Sequence, residues 1–229
     1  MKEAIILAGG FGTRLRTVVS DVPKPMAPVA GRPFLSYLLD DLSRQGYRHV
    51  VLATGYLHEK VEACYGNEYG GMAVDYAREL SPLGTGGAIV NGLQHCSEER
   101  ITVLNGDTLF HVDHTPLLQA DHAGCRLALL LRYVPDAGRY GAVETDGKGL
   151  VTAFREKDPT AGAGLINAGI YRMHRSLLDN YPAGQQFSFE KEVLQPLREP
   201  VHAYALDGYF IDIGVPDDYR RAQTELPLL

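Results

Sequence analysis

The sequence is poor in the features that would assign it to several large functional classes. It has three cysteines, Cys64, Cys96 and Cys125, spaced far apart. An odd number with no CxxC pair suggests neither a disulfide framework nor a zinc site, and the three read as small core residues. No run of Lys or Arg builds the basic face of a nucleic-acid binder. The formal net charge is -6 over 229 residues, and the pair Arg220-Arg221 reads as a solvated helix face. No stretch approaches the ~20 apolar residues of a membrane span. The chain passes from Met1-Lys2-Glu3 directly into an apolar run, so no signal peptide is read and a reducing cytoplasm is the simplest compartment. Internal repeats, low-complexity tracts and linkers are lacking. So is a Gly-x-Ser-x-Gly elbow. A G-x-G-x-x-G fingerprint fails because position 15 is Leu15. No P-loop exists, since the lone Gly147-Lys148 is followed by Gly149.

What is there is a soluble-protein composition, 45% hydrophobic and 22% charged, in a chain long enough for a sizeable core. The first half alternates. Ala4–Ala8, His49–Thr54, Ala73–Glu79, Ile101–Leu104 and Arg126–Tyr133 read as strands. Pro33–Gly46, Glu59–Tyr65, Ala88–His95 and Thr115–Ala123 read as helices, the first with Leu35, Leu38, Leu39 and Leu42 on one face. Strand and helix in succession predict an α/β fold with a Rossmann-like, mostly parallel sheet flanked by helices. The second half is richer in β-structure. A hairpin is read around Asp146-Gly147 and a strand in INAGIYRMH. A helix is read in FSFEKEVLQPL with Ser188 or a neighbour as cap, then two strands around Asp207-Gly208, then a helix with Pro216 at its first position. One domain over 1–229 is expected, with a nucleotide-type part to about 133 and a smaller, β-rich accessory part from about 134.

The loop after the first strand carries the chemistry. In open α/β sheets ligands bind where loops leave the carboxyl ends of strands. Gly9, Gly10 and Gly12 stand there, and glycine lets backbone N–H groups close on an anion. Arg14 can fork onto a phosphate and Lys24, in PKP, can add a point charge. A plain turn explains the glycines alone about as well. It explains less well the glycines, Arg14 and PKP together.

The stretch LAGGFGTRLRTVVSDVPKPMAPVAGRPFL resembles the signature of the sugar-1-phosphate nucleotidylyltransferases. The resemblance continues in order through SPLGTGGAI, NGDT, FREK, NAGIY and FIDIGVPDDY, over nearly the whole chain. Within that family the wording is most similar to the D-glycero-α-D-manno-heptose 1-phosphate guanylyltransferases. The resemblance implies transfer of a nucleoside monophosphate from a nucleoside triphosphate, GTP by preference, to a sugar 1-phosphate, with pyrophosphate leaving. Mannose 1-phosphate with GTP and N-acetylmuramate 1-phosphate with UTP are the alternatives. A catalytically silent binding or regulatory subunit is the alternative of another class. No nucleic-acid or membrane partner is implied, and a homodimer is allowed.

The resemblance also implies roles. Arg14 holds the triphosphate tail, Lys24 sits at the α-phosphate and Lys157 positions the sugar phosphate. Leu7, Ala8, Gly9, Gly10, Gly12, Thr13, Gly84 and Thr85 approach the nucleotide. Gly141, Glu156 and Asn167 contact the sugar, although Glu156-Lys157 is followed by Asp158-Pro159 where the pattern has proline directly. Asp107 ends an apolar strand and could simply cap a turn. Asp212 lies among apolar residues and is seldom buried without a partner. The resemblance has the two share Mg2+, a cation that takes oxygen ligands. Glu79 precedes the glycine-rich SPLGTGGAI. A carboxylate only accepts, and guanine offers N1–H and N2–H2 side by side, so Glu79 is the candidate guanine reader; an exposed strand-end acid is an equal reading. The GTGG glycines read either as a frayed helix end or as a close approach to the ligand. His111, Asp113 and His114 read as a solvated helix start rather than a metal site.

Overall fold

The computed structural model describes residues 1–10, 22–119 and 124–229. Its strands are β1 (Glu3–Leu7), β2 (Pro28–Val29), β3 (Arg32–Pro33), β4 (His49–Thr54), β5 (Glu68–Tyr69), β6 (Met72–Arg78) and β7 (Arg100–Asn105), followed by β8 (Thr108–His111), β9 (Leu127–Val134), β10 (Val143–Thr145), β11 (Val151–Phe154), β12 (Gly164–His174), β13 (Val201–Leu206) and β14 (Tyr209–Asp212). The helices are α1 (Phe34–Arg44), α2 (His58–Tyr65), α3 (Gly84–Leu93), α4 (Thr115–Gln119) and α5 (Pro216–Glu225).

Eight strands form one sheet in the order β13-β9-β12-β7-β1-β4-β6-β5. β1 runs parallel to β4 and β7, β4 to β6, and β9 to β13. β12 is antiparallel to both its neighbours. The short apolar runs of β1, β4 and β7 suit strands covered on both faces. Alternate residues of these strands and of β9 divide between two cores. Ala4, Ile6, Leu52, Leu104 and Leu130 pack with the Leu35, Leu38, Leu39 and Leu42 stripe of α1 and with α5. Ile5, Val51, Val103 and Leu129 pack with Ala88 and Ile89 of α3. Among the described residues no helix is long and apolar enough to cross a membrane.

Several local readings change. The β10–β11 connection is not a two-residue turn. It spans residues 146–150 and is closed by the Asp146 side chain, which accepts from Lys148 N at 2.8 Å and Leu150 N at 2.9 Å. Such side-chain turns compete well with primed turns. The strands flanking Asp207-Gly208 go to different sheets: β13 extends the main sheet, whereas β14 pairs antiparallel with β8. The FSFEKEVL helix is a π-helical turn over Glu190–Leu194, and Ser188 Oγ does cap it, accepting from Lys191 N at 3.2 Å. Helix α4 is short, and the remainder of the helix read to Ala123 falls outside the described residues. Cys96 and Cys125 are buried, but Cys64 is exposed on α2. His114 is fully buried, not solvated. Its Nδ1 meets the Tyr47 hydroxyl at 3.1 Å, and burial pulls its pKa down to about 4.

Candidate active site

The carboxyl ends of β1, β4, β6 and β7 open on a cavity of about 540 Å³. Leu7, Gly9 and Gly10 enter from β1, Gly55 and Tyr56 from β4, Glu79 to Pro82 from β6, and Asn105, Gly106 and Asp107 from β7. Gly84, Thr85 and Ala88 of α3 close one wall, and Lys24 and Pro25 another. This is where the topology of an open α/β sheet places a ligand. Ala8 lies just behind, buried, with its N–H bonded to Ala53 O at 2.8 Å. Gly12, Thr13 and Arg14 lie outside the described residues.

Lys24 starts a 3₁₀ turn, Lys24–Met26, in which Pro25 and Met26 are buried. Two prolines fix the main chain on either side of the lysine, and its ammonium is turned to the cavity, where it pairs with Asp107 Oδ2. Asp107 lies in the two-residue turn between β7 and β8. Asp212, over a hundred residues later, is brought beside it by the β8–β14 ribbon: Asp212 is in register with Thr108, and Ile213 N donates to Asp107 O at 3.0 Å. Asp212 Oδ1 accepts from Gly214 N at 2.6 Å. A methyl placed on Gly214 would stand 2.7 Å from both Asp212 Oδ1 and Lys24 Nζ. Lys24, Asp107 and Asp212 thus surround one point at the sheet edge. Burial raises the Asp212 pKa, and the Asp107 charge raises it further, against the pull of Lys24 and the Gly214 N–H. Two close, half-buried carboxylates and a single ammonium leave surplus negative charge on oxygen donors. That is the donor chemistry a hard divalent cation prefers, so the residues fit such an ion. No group of three or more His, Cys, Asp or Glu capable of holding a metal occurs among the described residues.

Glu79 Oε2 accepts from Leu83 N at 2.9 Å and so caps the start of α3. Its Oε1 faces Gly9, where a methyl would come within 2.5 Å of it. Burial raises the Glu79 pKa, opposed by the Leu83 N–H. It is neither a freely exposed strand-end acid nor a carboxylate with both oxygens open, since Oε2 is taken by the start of α3. The GTGG glycines have a further physical reason. Gly84 has φ +68°, and a methyl on it would lie 2.5 Å from Phe187 O. Gly86 N donates to Phe187 O at 3.0 Å, Phe187 N to Leu83 O at 3.0 Å, and Phe189 N to Thr85 Oγ1 at 2.9 Å. The helix start is stapled to residues 187–189, while Gly84 and Thr85 still line the cavity.

The residues read for the sugar side stand apart. Glu156 and Lys157 are exposed in the loop after β11. Gly141 packs against that loop, with Arg155 O 2.5 Å from where its side chain would begin. Asn167 turns inward: its Nδ2 donates to Tyr171 Oη at 2.8 Å and its Oδ1 accepts from Gly169 N at 2.9 Å. The Tyr171 hydroxyl also bonds to the Asn105 side chain, so Asn167 reaches the cavity floor through Tyr171 and Asn105. Sequence reasoning passed over Asn105, although it precedes Asp107 on the same strand end. It also missed Tyr56 and Leu80, 45% and 102% exposed on the cavity rim. Exposed apolar residues beside a pocket have no periodic signal to reveal them.

The sequence pattern of the family described as Nucleotidyl transferase matches residues 3–227. The chain is 43% identical to a D-glycero-α-D-manno-heptose 1-phosphate guanylyltransferase of Aneurinibacillus thermoaerophilus, covering 98% of each chain. It is 42% identical to the protein of the same name from Campylobacter jejuni, over 95% of this chain and 96% of that one. Among solved structures it is similar to HddC from Yersinia pseudotuberculosis in complex with GMP-PN, with a TM-score of 0.87, 35% identity and 97% and 98% of the two chains covered.

Proposed function

We propose, for a chain that belongs to the nucleotidyl transferase family, that it transfers GMP from GTP to a sugar 1-phosphate of the D-glycero-α-D-manno-heptose class, releasing pyrophosphate. The observation that carries this reading is the meeting of Lys24, Asp107 and Asp212 at the mouth of the cavity floored by the β1 glycines. The two relatives of this name, alike over nearly their full length, support the substrate class.

In this reading residues up to about 133 serve the nucleotide and those from about 134 the sugar. The sugar phosphate oxygen attacks the α-phosphorus directly. It is already ionised at neutral pH, so no strong general base is required, and the protein's task is in-line placement and charge neutralisation. Lys24 shifts its ammonium from Asp107 towards the α-phosphate as negative charge gathers there. Lys157 holds the attacking phosphate, Glu156 and Gly141 the sugar, and Glu79 Oε1 accepts from the guanine edge. Arg14 takes the departing tail, with Gly12 and Thr13 beside it. Members of this family commonly use a divalent metal. Asp107 and Asp212 would hold it as Mg2+, which supplies charge neutralisation and a template for the phosphates.

The test is a matrix of GTP, ATP, UTP and CTP against heptose, mannose and N-acetylmuramate 1-phosphates, read by pyrophosphate release. GTP with the heptose 1-phosphate should give the highest kcat/KM. A preference for UTP would overturn the guanylyl assignment.

A further inference from the structure

Helix α5 begins two residues beyond the Asp212–Gly214 turn, and its first turn contains a buried acid that the proposed chemistry does not use. Asp218 is 4% exposed. Its Oδ2 accepts from Arg139 Nη2 at 2.6 Å and its Oδ1 from Arg221 Nη1 at 2.9 Å. The two arginines differ. Arg221 lies on the same helix and is also held by Glu225 through two bonds of 3.1 Å. Arg139 comes from the distant loop after β9, and its guanidinium lies over the Tyr140 ring at 5.3 Å.

That loop is a main-chain scaffold. Tyr140 N and Gly141 N both donate to Ala137 O at 3.0 Å. Its glycines press directly on the loop that carries Glu156 and Lys157. A methyl on Gly138 would fall 2.5 Å from Asp158 O, and one on Gly141, at φ +84°, would fall 2.5 Å from Arg155 O. Ala137 N donates to Gly162 O at 3.0 Å and Arg155 N to Ala142 O at 2.7 Å. The two loops are therefore packed and hydrogen-bonded as one unit. Tyr140 adds an edge contact to Phe210 of β14, with centroids 5.7 Å apart. This ring and the Arg139–Asp218 pair tie the loops to β14 and α5, while a backbone bridge between Ala142 and Ile166 ties them to the main sheet.

We propose that Asp218 and Arg139 are positioning residues. Their ion pair fixes the double loop bearing Gly141, Glu156 and Lys157 to the short segment that also supplies Asp212. Nucleophile-side and phosphate-side groups thereby share one anchor, and in-line attack depends on their relative placement. The inference rests on the proposed function for the identity of the ligand, but the mechanical link does not.

Arg139→Gln tests it, because Arg221 continues to satisfy Asp218 and the buried acid is not orphaned. Losing one charge-assisted bond should raise KM for the sugar 1-phosphate about tenfold and leave KM for the nucleoside triphosphate within about twofold. Hydrogen exchange should quicken in residues 137–142 and 155–162 and stay unchanged in β1 and β4. Arg139→Lys, which restores charge without the fork, should recover part of both effects. Equal rises in both KM values, or unchanged exchange in the two loops, would overturn the proposal. A wild-type chain inactive with every sugar 1-phosphate would overturn the functional reading instead, and the exchange comparison would still decide whether the pair holds the loops.

Discussion

The two sides of the candidate site are built differently. On the side proposed for the nucleotide, Gly9, Glu79, Asn105 and Asp107 leave the ends of neighbouring strands in one sheet, and their positions follow from strand register. On the side proposed for the sugar, Glu156 and Lys157 sit exposed on a loop that is stacked on another loop. Rigid elements hold a constellation more closely than loops do. A sheet edge can therefore be prepared for the nucleotide before it arrives, while the sugar side depends on loop-to-loop contacts and on the anchor to α5. Between the two stands Asp212, which no sheet neighbour of β1 supplies and which the β8–β14 ribbon delivers.

If that division holds, damage at the junction should cost most. Asp107→Asn and Asp212→Asn should each lower kcat by on the order of 10³ or more, since several kcal/mol of transition-state charge stabilisation is lost. Circular dichroism should show the fold intact, and added Mg2+ should restore little. Activity within a few-fold of wild type, or full activity in EDTA, would remove the shared cation from the account. Lys24→Ala comes next. A lost transition-state donor costs about 10²–10³ in kcat, with nucleotide affinity nearly kept. A raised KM with unchanged kcat would show that Lys24 only binds.

Smaller effects should separate the sides. Glu79→Gln turns an acceptor into a donor opposite guanine and should cost about 1–3 kcal/mol of preference for GTP over ATP, with KM for the sugar phosphate unchanged. Equal losses with GTP and with ATP would place Glu79 in the helix cap alone. The site-remote control is His114. Its native pKa of about 4 lies below the ordinary 6.5, so the unfolded chain binds the extra proton first. Its contribution is fully present above pH 6.5 and is lost as pH falls through about 4. The loss amounts to about 3 kcal/mol. Urea midpoints should drop across that window in wild type, and a flat profile would contradict the buried neutral ring.

Much of the sheet edge that lines the cavity was legible in the sequence because its signals are local. Apolar runs specify β1, β4 and β7, glycines follow the first of them, and PKP fixes the lysine. The convergence of Asp107 and Asp212 was not legible from the residues around them. It depends on β14 leaving β13 at Asp207-Gly208 to pair with β8, and nothing in VHAYALDGYFIDIG distinguishes that corner from a hairpin. Composition misled in the same way at His111 to His114: a polar string before a helix reads as solvated, yet Tyr47 from β4's approach and the sheet behind it bury His114 completely. The stapling of GTGG to residues 187–189 was hidden for a related reason, since glycines admit a ligand or another main chain equally well.

The most direct test of a nucleotide side prepared in advance is a calorimetric titration of the sugar-free protein, in Mg2+, with non-hydrolysable analogues of GTP and UTP. The account predicts saturable binding of the GTP analogue without any sugar phosphate present, at least about tenfold tighter than the UTP analogue. Binding that appears only after sugar 1-phosphate is added, or that favours the UTP analogue, would contradict it.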